Sequence, residues 1–297
     1  MLKNDRLITA MITPFKDNGD VDIDTAKKLA IALNKSGSDA ILIGGTTGES
    51  PTLSDHEKLE LFKNVKDAVG DNARVIAGTT DNNNLKSIEL SLEAQNLGVD
   101  GLLLTVPAYN KPTQQGLIYH FNKIADSVNI PCILYNVPGR TSLNMEAETT
   151  LKLSLHENII GIKEASSDLS QITKIISNTS DSDFRVWSGN DDETFSIMAL
   201  GGFGVVSVAS NIIGNQIKTM MGSILEGNIE SAANHHKELL PLFQGLFWVT
   251  NPILIKRALN LSGFNVGGLR LPMIDSKEFE NEFSKLISKY DIDVIKT

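Results

Sequence analysis

The stretch Asp39-Ala40-Ile41-Leu42-Ile43-Gly44-Gly45-Thr46-Thr47-Gly48-Glu49-Ser50, running on through Ser54-Asp55-His56-Glu57 to Val69-Gly70, holds one complete unit of the fold. Its first residues form a short apolar run without alternation, the pattern of a strand buried on both faces. A glycine-rich turn follows. Ser54 then sits where a helix N-cap belongs, with Glu57 three residues on to complete a capping box. Leu59, Phe62, Val65 and Val69 recur at helical spacing, and Gly70 ends the helix.

Working outward, the same strand-then-helix unit recurs about eight times, more than the five or six strands usual in an open doubly wound sheet. Apolar runs occupy 7–15, 39–45, 74–80, 101–107, 132–138, 159–165, 184–189 and 204–209. Amphipathic segments at 86–96, 114–127 and 168–178 lie between them. Successive parallel strands require right-handed crossovers, and eight units predict a closed (β/α)8 barrel in the α/β class. Residues 225–297 show helical patterns and no convincing strand. The expected division is therefore a barrel over 1–224 and a C-terminal helical extension over 225–297 packed on it, with no Pro/Ser-rich linker between them.

Composition narrows the function classes. The chain has 297 residues, 41% of them hydrophobic, with 27 basic against 36 acidic side chains and a net charge of −9. An acidic chain without basic blocks is a poor partner for nucleic acid or an anionic membrane. No apolar run approaches the ~18 residues of a membrane span, and the start of the chain lacks the pattern of a signal peptide. The single cysteine, Cys132, permits no intrachain disulfide and no cysteine-based zinc site. These features predict a soluble cytoplasmic protein without a metal.

A barrel concentrates chemistry at the carboxyl ends of its strands. Lys163 interrupts the apolar run Ile159-Ile160-Gly161-Ile162-Lys163 at such an end. It is either a strand-end lysine reaching for water or an amine whose pKa burial lowers until it can add to a ketone. Tyr135 is either a buried phenol with its hydroxyl satisfied or the proton donor and acceptor beside that amine. The turn Gly44-Gly45-Thr46-Thr47-Gly48-Glu49 offers N–H groups and hydroxyls suited to a carboxylate or phosphate, and matches neither nucleotide-binding glycine pattern. Arg140 is a candidate fork for a carboxylate, or a surface ion pair. Gly201-Gly202-Phe203-Gly204 precedes a strand and reads as a structural turn. Cys132 and the pair Met220-Met221 read as core, and Asp181-Ser182-Asp183 as a solvated loop. The five histidines fall at inferred helices or loops, without metal-ligand spacing.

Four ordered segments resemble the signatures of the dihydrodipicolinate synthase family: Gly45-Thr46-Thr47-Gly48-Glu49, Tyr135-Asn136-Val137-Pro138-Gly139-Arg140-Thr141, Gly161-Ile162-Lys163-Glu164-Ala165 and Ser188-Gly189-Asn190-Asp191. The likeness extends from Ile8-Thr9-Ala10-Met11-Ile12-Thr13-Pro14-Phe15 to Leu269-Arg270-Leu271-Pro272. These enzymes condense pyruvate with L-aspartate 4-semialdehyde on the lysine/diaminopimelate branch, with no organic cofactor or metal. The resemblance implies that Lys163 forms the Schiff base and Tyr135 is the general acid/base. Thr46 and Tyr109 would complete a proton relay, with Tyr109 reaching into a neighbouring subunit of a homodimer or homotetramer. Thr47 would hold pyruvate's carboxylate, Arg140 that of the semialdehyde, and Gly189 and Val206 would line the pocket with backbone carbonyls. Ser50, Pro51, Asp55, Lys58, Asn82, Lys86 and Ala108 match the family's lysine-effector pocket, where Lys58, Lys86 and Ala108 depart from sensitive members and imply weak or absent inhibition. Asn251-Pro252-Ile253-Leu254-Ile255-Lys256 carries Leu where the family often has Pro, a packing variation. The nearest rival is a sibling aldolase, such as N-acetylneuraminate lyase or a keto-deoxy sugar acid aldolase; the placement of Arg140 and the pair Thr46-Thr47 favour the synthase.

Overall fold

The computed structural model describes residues 2–296. Eight parallel strands close in chain order: β1 (Leu7–Ala10), β2 (Ala40–Ile43), β3 (Arg74–Gly78), β4 (Gly101–Thr105), β5 (Cys132–Asn136), β6 (Ile159–Glu164), β7 (Arg185–Ser188) and β8 (Gly204–Ser207). β8 pairs back onto β1 through Leu7 with Val205, Ile8 with Val206 and Thr9 with Ser207. The helices between strands are α1 (Ile23–Lys35), α2 (Asp55–Val69), α3 (Asn84–Asn96), α4 (Gln114–Ser127), the short α5 (Pro138–Thr141), α6 (Ala147–Leu153), α7 (Leu169–Thr179) and α8 (Thr194–Ala199). Four more close the chain: α9 (Ser210–Leu225), α10 (Ile229–Gly245), α11 (Ile253–Leu261) and α12 (Glu280–Ile287).

The helix boundaries follow local signals. Ser54 accepts from the N–H of Glu57, whose carboxylate returns to the N–H of Ser54, so the capping box forms as expected. Thr113 and Asp168 cap α4 and α7 by the first half of that pattern alone, accepting from the N–H groups of Gly116 and Gln171. Each strand is shorter than its apolar run. Beyond Ala10, for instance, the chain leaves the ladder, and the N–H of Phe15 donates to Val266 of the C-terminal segment at 3.1 Å. Its side chains stay buried against another layer, which is why apolarity outlasts strand pairing.

The core has two shells. One fills the space between strands and helices, and Cys132, Met221, Phe62 and Leu254 all belong to it. The other plugs the barrel and includes Ile8, Leu42, Ile76, Ile133, Tyr135, Trp187 and Val206. Trp187 is wholly buried and donates its indole N–H to the carbonyl of Asp5 at 2.9 Å. It fits because Gly161 of β6, which pairs with Arg185 of β7, has no side chain: a Cβ there would lie 2.5 Å from the indole and 2.2 Å from the carbonyl oxygen of Arg185. The turn at 201–204 is structural: Gly202 and Phe203 donate to Ile197 and Val186, at the start of β8. Burial also pushes the Cys132 thiol up to about 12, leaving it a small apolar side chain.

Candidate active site

The carboxyl ends of β2, β5, β6 and β7, with Phe247 and Asn251 from beyond α10, surround one cavity at the mouth of the barrel. Lys163 rises into it from β6, and only 5% of the residue is exposed. Its strand neighbours in register are Tyr135 on β5 and Trp187 on β7. The ammonium position lies 4.2 Å from the centre of the Tyr135 ring. Burial lowers the Lys163 pKa to about 7, with Asp191 pulling it up and Arg140 down. Burial raises the Tyr135 phenol to about 12; Arg140 opposes and Glu164 adds to that shift. At neutral pH the amine is therefore available as a nucleophile while the neighbouring phenol keeps its proton.

The Thr46 and Thr47 turn is held from several sides. Gly44 adopts φ +69°, a conformation side chains disfavour, and a Cβ on Gly78 would lie 2.3 Å from the Gly44 carbonyl oxygen. Thr13 donates its hydroxyl to the carbonyl of Gly48 at 2.7 Å. Thr47 is buried and accepts from the Asn251 amide at 2.9 Å. Arg140, on α5, is exposed at the mouth and donates to the carbonyl oxygen of Asn251 at 3.4 Å. One residue of the C-terminal segment thus touches both candidate carboxylate-binding groups.

Gly189 brings bare backbone to the cavity wall. Its N–H donates to the Glu164 carbonyl at 2.7 Å, and a Cβ there would meet that of Ala165 at 2.6 Å. Val206 sits deeper in the barrel plug, while Val208 lines the cavity. Tyr109 does not reach the cavity of its own chain. It is 91% exposed and holds φ +70°, a left-handed conformation of the β4–α4 loop.

Three residues that lie within the family-like segments, but to which the sequence assigned no role, also belong to the site. Asp191 is buried behind Lys163; its carboxylate accepts from the Ser207 hydroxyl and from the N–H groups of Val208 and Ala209 at 3.0 Å each. Glu164 points away from the cavity into a buried network, accepting from Asn136 at 3.0 Å, Gln171 at 3.2 Å and the N–H of Ser166 at 2.9 Å. Desolvation raises its pKa to about 7 against those donors. Asn251 is buried with its amide oxygen unpaired in the cavity wall. Glu164 follows Lys163 on β6, so strand alternation turns it to the opposite face. Asn251 had no local signal, because 111 residues separate it from Arg140 and 204 from Thr47. Among the described residues no three His, Cys, Asp or Glu side chains gather as metal ligands.

Comparison with known proteins agrees with this architecture. The sequence profile of the Dihydrodipicolinate synthetase family matches residues 3–290. A 4-hydroxy-tetrahydrodipicolinate synthase of Dehalococcoides mccartyi is 55% identical over 273 residues, which is 92% of each chain. The structure of the dihydrodipicolinate synthase of Cyanidioschyzon merolae with lysine bound superposes with a TM-score of 0.94 at 45% identity, covering 97% of this chain and 98% of that one. A monomeric dihydrodipicolinate synthase variant superposes at 0.93 with 39% identity, covering 97% and 96%. With its barrel closed and its segments in the family's order, this chain belongs to the dihydrodipicolinate synthetase family.

Proposed function

We propose that this chain condenses pyruvate with L-aspartate 4-semialdehyde to give 4-hydroxy-tetrahydrodipicolinate, with Lys163 as the Schiff-base lysine. The observation that carries the reading is the buried Lys163 amine, 4.2 Å from the Tyr135 ring in a cavity that also holds Thr46, Thr47 and Arg140. The neutral amine adds to the ketone carbon of pyruvate, and water leaves to give an iminium. Loss of a methyl proton gives an enamine, because the iminium takes up the electron pair. The enamine carbon attacks the aldehyde, whose oxygen gains a proton. The amino group of the former semialdehyde then attacks the iminium carbon, releases Lys163 and closes the ring. Each step moves a proton, the task assigned to Tyr135 with Thr46.

Thr47 receives the carboxylate of pyruvate and Arg140 that of the semialdehyde. Gly189 contributes a backbone carbonyl at the cavity wall, and the resemblance gives Val206, one layer deeper in the barrel, the same role. Tyr109 completes the relay in a neighbouring subunit of a homodimer or homotetramer, consistent with its full exposure on the isolated chain. The chain divides into the barrel, 1–224, and the helical extension, 225–297, and works in the cytoplasm; no helix among the described residues is long and apolar enough to cross a membrane.

Incubation with pyruvate and borohydride followed by peptide mass spectrometry tests the reading. The expected result is one reduced adduct on Lys163, absent in Lys163→Met, together with consumption of aspartate semialdehyde in a coupled assay. An unlabelled Lys163 sinks every Schiff-base reading. Labelling without use of the semialdehyde turns the reading towards a sugar-acid aldolase.

A further inference from the structure

We propose that Glu49 and Lys256 are positioning residues for this reaction: their buried ion pair fastens the turn bearing Thr46 and Thr47 to α11 and so sets how well the site holds the carboxylate of its first substrate. The inference rests on the function assigned above. It concerns two charged side chains that the mechanism itself does not use.

The geometry is specific. Each side chain is 2% exposed, and Lys256 Nζ lies 2.7 Å from Glu49 Oε1. The second carboxylate oxygen accepts from the N–H of Arg270 at 3.0 Å. Lys256 also donates to the carbonyl of Gly268 and stands 4.1 Å over the Phe15 ring. The Arg270 guanidinium covers the same ring at 4.5 Å while it bonds to Glu57 of α2. Lys256 is thus supplied with partners on several sides, and so is Glu49.

Glu49 in turn governs the turn. Its backbone is left-handed, φ +56°, a conformation a non-glycine residue keeps only when its surroundings impose it. Its N–H donates to the carbonyl of Thr46 at 3.0 Å. Movement of Glu49 therefore moves the two threonines. The same segment of chain grips the turn a second time, since Asn251, five residues before Lys256, donates to the Thr47 hydroxyl. Stability alone does not call for charges here, because an apolar pair of similar volume often does as well or better in a core. What a two-pronged, fully partnered ion pair adds is a fixed position for the turn. A carboxylate subsite needs such precision, since small misplacements of binding groups cost large factors in rate.

Three variants of the full chain separate positioning from folding: Lys256→Met, Glu49→Gln and the double variant carrying both. Thermal unfolding is read beside kcat, the KM for each substrate and borohydride trapping of pyruvate. Lys256→Met leaves a buried carboxylate without its cation and is expected to lose stability most; if it fails to fold, the other two variants still decide the question. The double variant removes both charges and is expected to regain most of the lost Tm, yet to keep a pyruvate KM raised about tenfold, with the KM for the semialdehyde within about twofold of wild type. In a Thr47→Val background the same double change is expected to add less than about twofold, because its effect passes through Thr47. A double variant with wild-type pyruvate KM, or a full tenfold effect added on top of Thr47→Val, overturns the proposal and leaves the pair a structural contact. Loss of the Lys163 adduct or of semialdehyde turnover in the wild-type enzyme would instead overturn the function on which it rests.

Discussion

A lysine and a tyrosine side by side in a strand register acquire opposite characters from one cause. Burial destabilises the ammonium of Lys163 and the phenolate of Tyr135 alike, so the amine moves down to about 7 and the phenol up to about 12. The consequence is a pH profile. Below pH 7 the ammonium has no lone pair, and trapping of pyruvate by cyanoborohydride should slow about tenfold per pH unit; above 7 the rate should level off. A rate still climbing beyond pH 9 would mean an ordinary exposed lysine. At this scale the sequence was readable where a residue broke a local pattern: a lysine inside Ile159-Ile160-Gly161-Ile162 is conspicuous. It assigned no role to Asp191 and Asn251, whose importance lies in what they face across the fold.

Strands and helices were legible nearly to the residue where a capping side chain spoke, as at Ser54. They were less so at strand ends, because apolar side chains continue wherever the chain stays covered. Between the elements lies the network of Asn136, Glu164 and Gln171, which ties β5 to β6 and α7 beneath the Tyr135 and Lys163 pair. Its carboxyl group yields a prediction about stability. The Glu164 pKa is raised from 4.5 to about 7 on folding. Between those values the folded chain retains a proton that the unfolded chain has lost, so this contribution is complete below pH 4.5 and disappears as pH rises through 7. Glu164→Gln, which imitates the protonated form, should remove on the order of 2 kcal/mol from the fall in stability between pH 4.5 and 7. Urea unfolding of wild type and variant at both pH values measures the difference. Parallel curves would show that Glu164 titrates alike in both states.

At the scale of the whole molecule, the helices after β8 complete the barrel's mouth as well as covering its side: Asn251 reaches Thr47, and Lys256 reaches Glu49. The resemblance assigns an effector pocket to a second set of residues that includes Asp55, Lys58, Asn82, Lys86 and Ala108. There Lys58 stands 3.6 Å from Asp55, and Asn82 accepts from the N–H of Ala108 at 3.1 Å. In such a pocket Lys58, already paired with Asp55, together with Lys86 leaves no free carboxylate among these residues for an effector's ammonium, and Ala108 offers no aromatic ring. Isothermal titration should therefore find no tight site for lysine; micromolar binding would contradict this. By itself the sequence determined the eight strand-helix units, the caps that start the helices and the segments that carry the candidate chemistry, because each depends on residues within a few positions of one another. Only the tertiary structure decided the lowered pKa of Lys163, the grip of the extension on the turn and the exposure of Tyr109. Those depend on desolvation and on contacts between residues up to about two hundred positions apart, which the closing of the barrel creates.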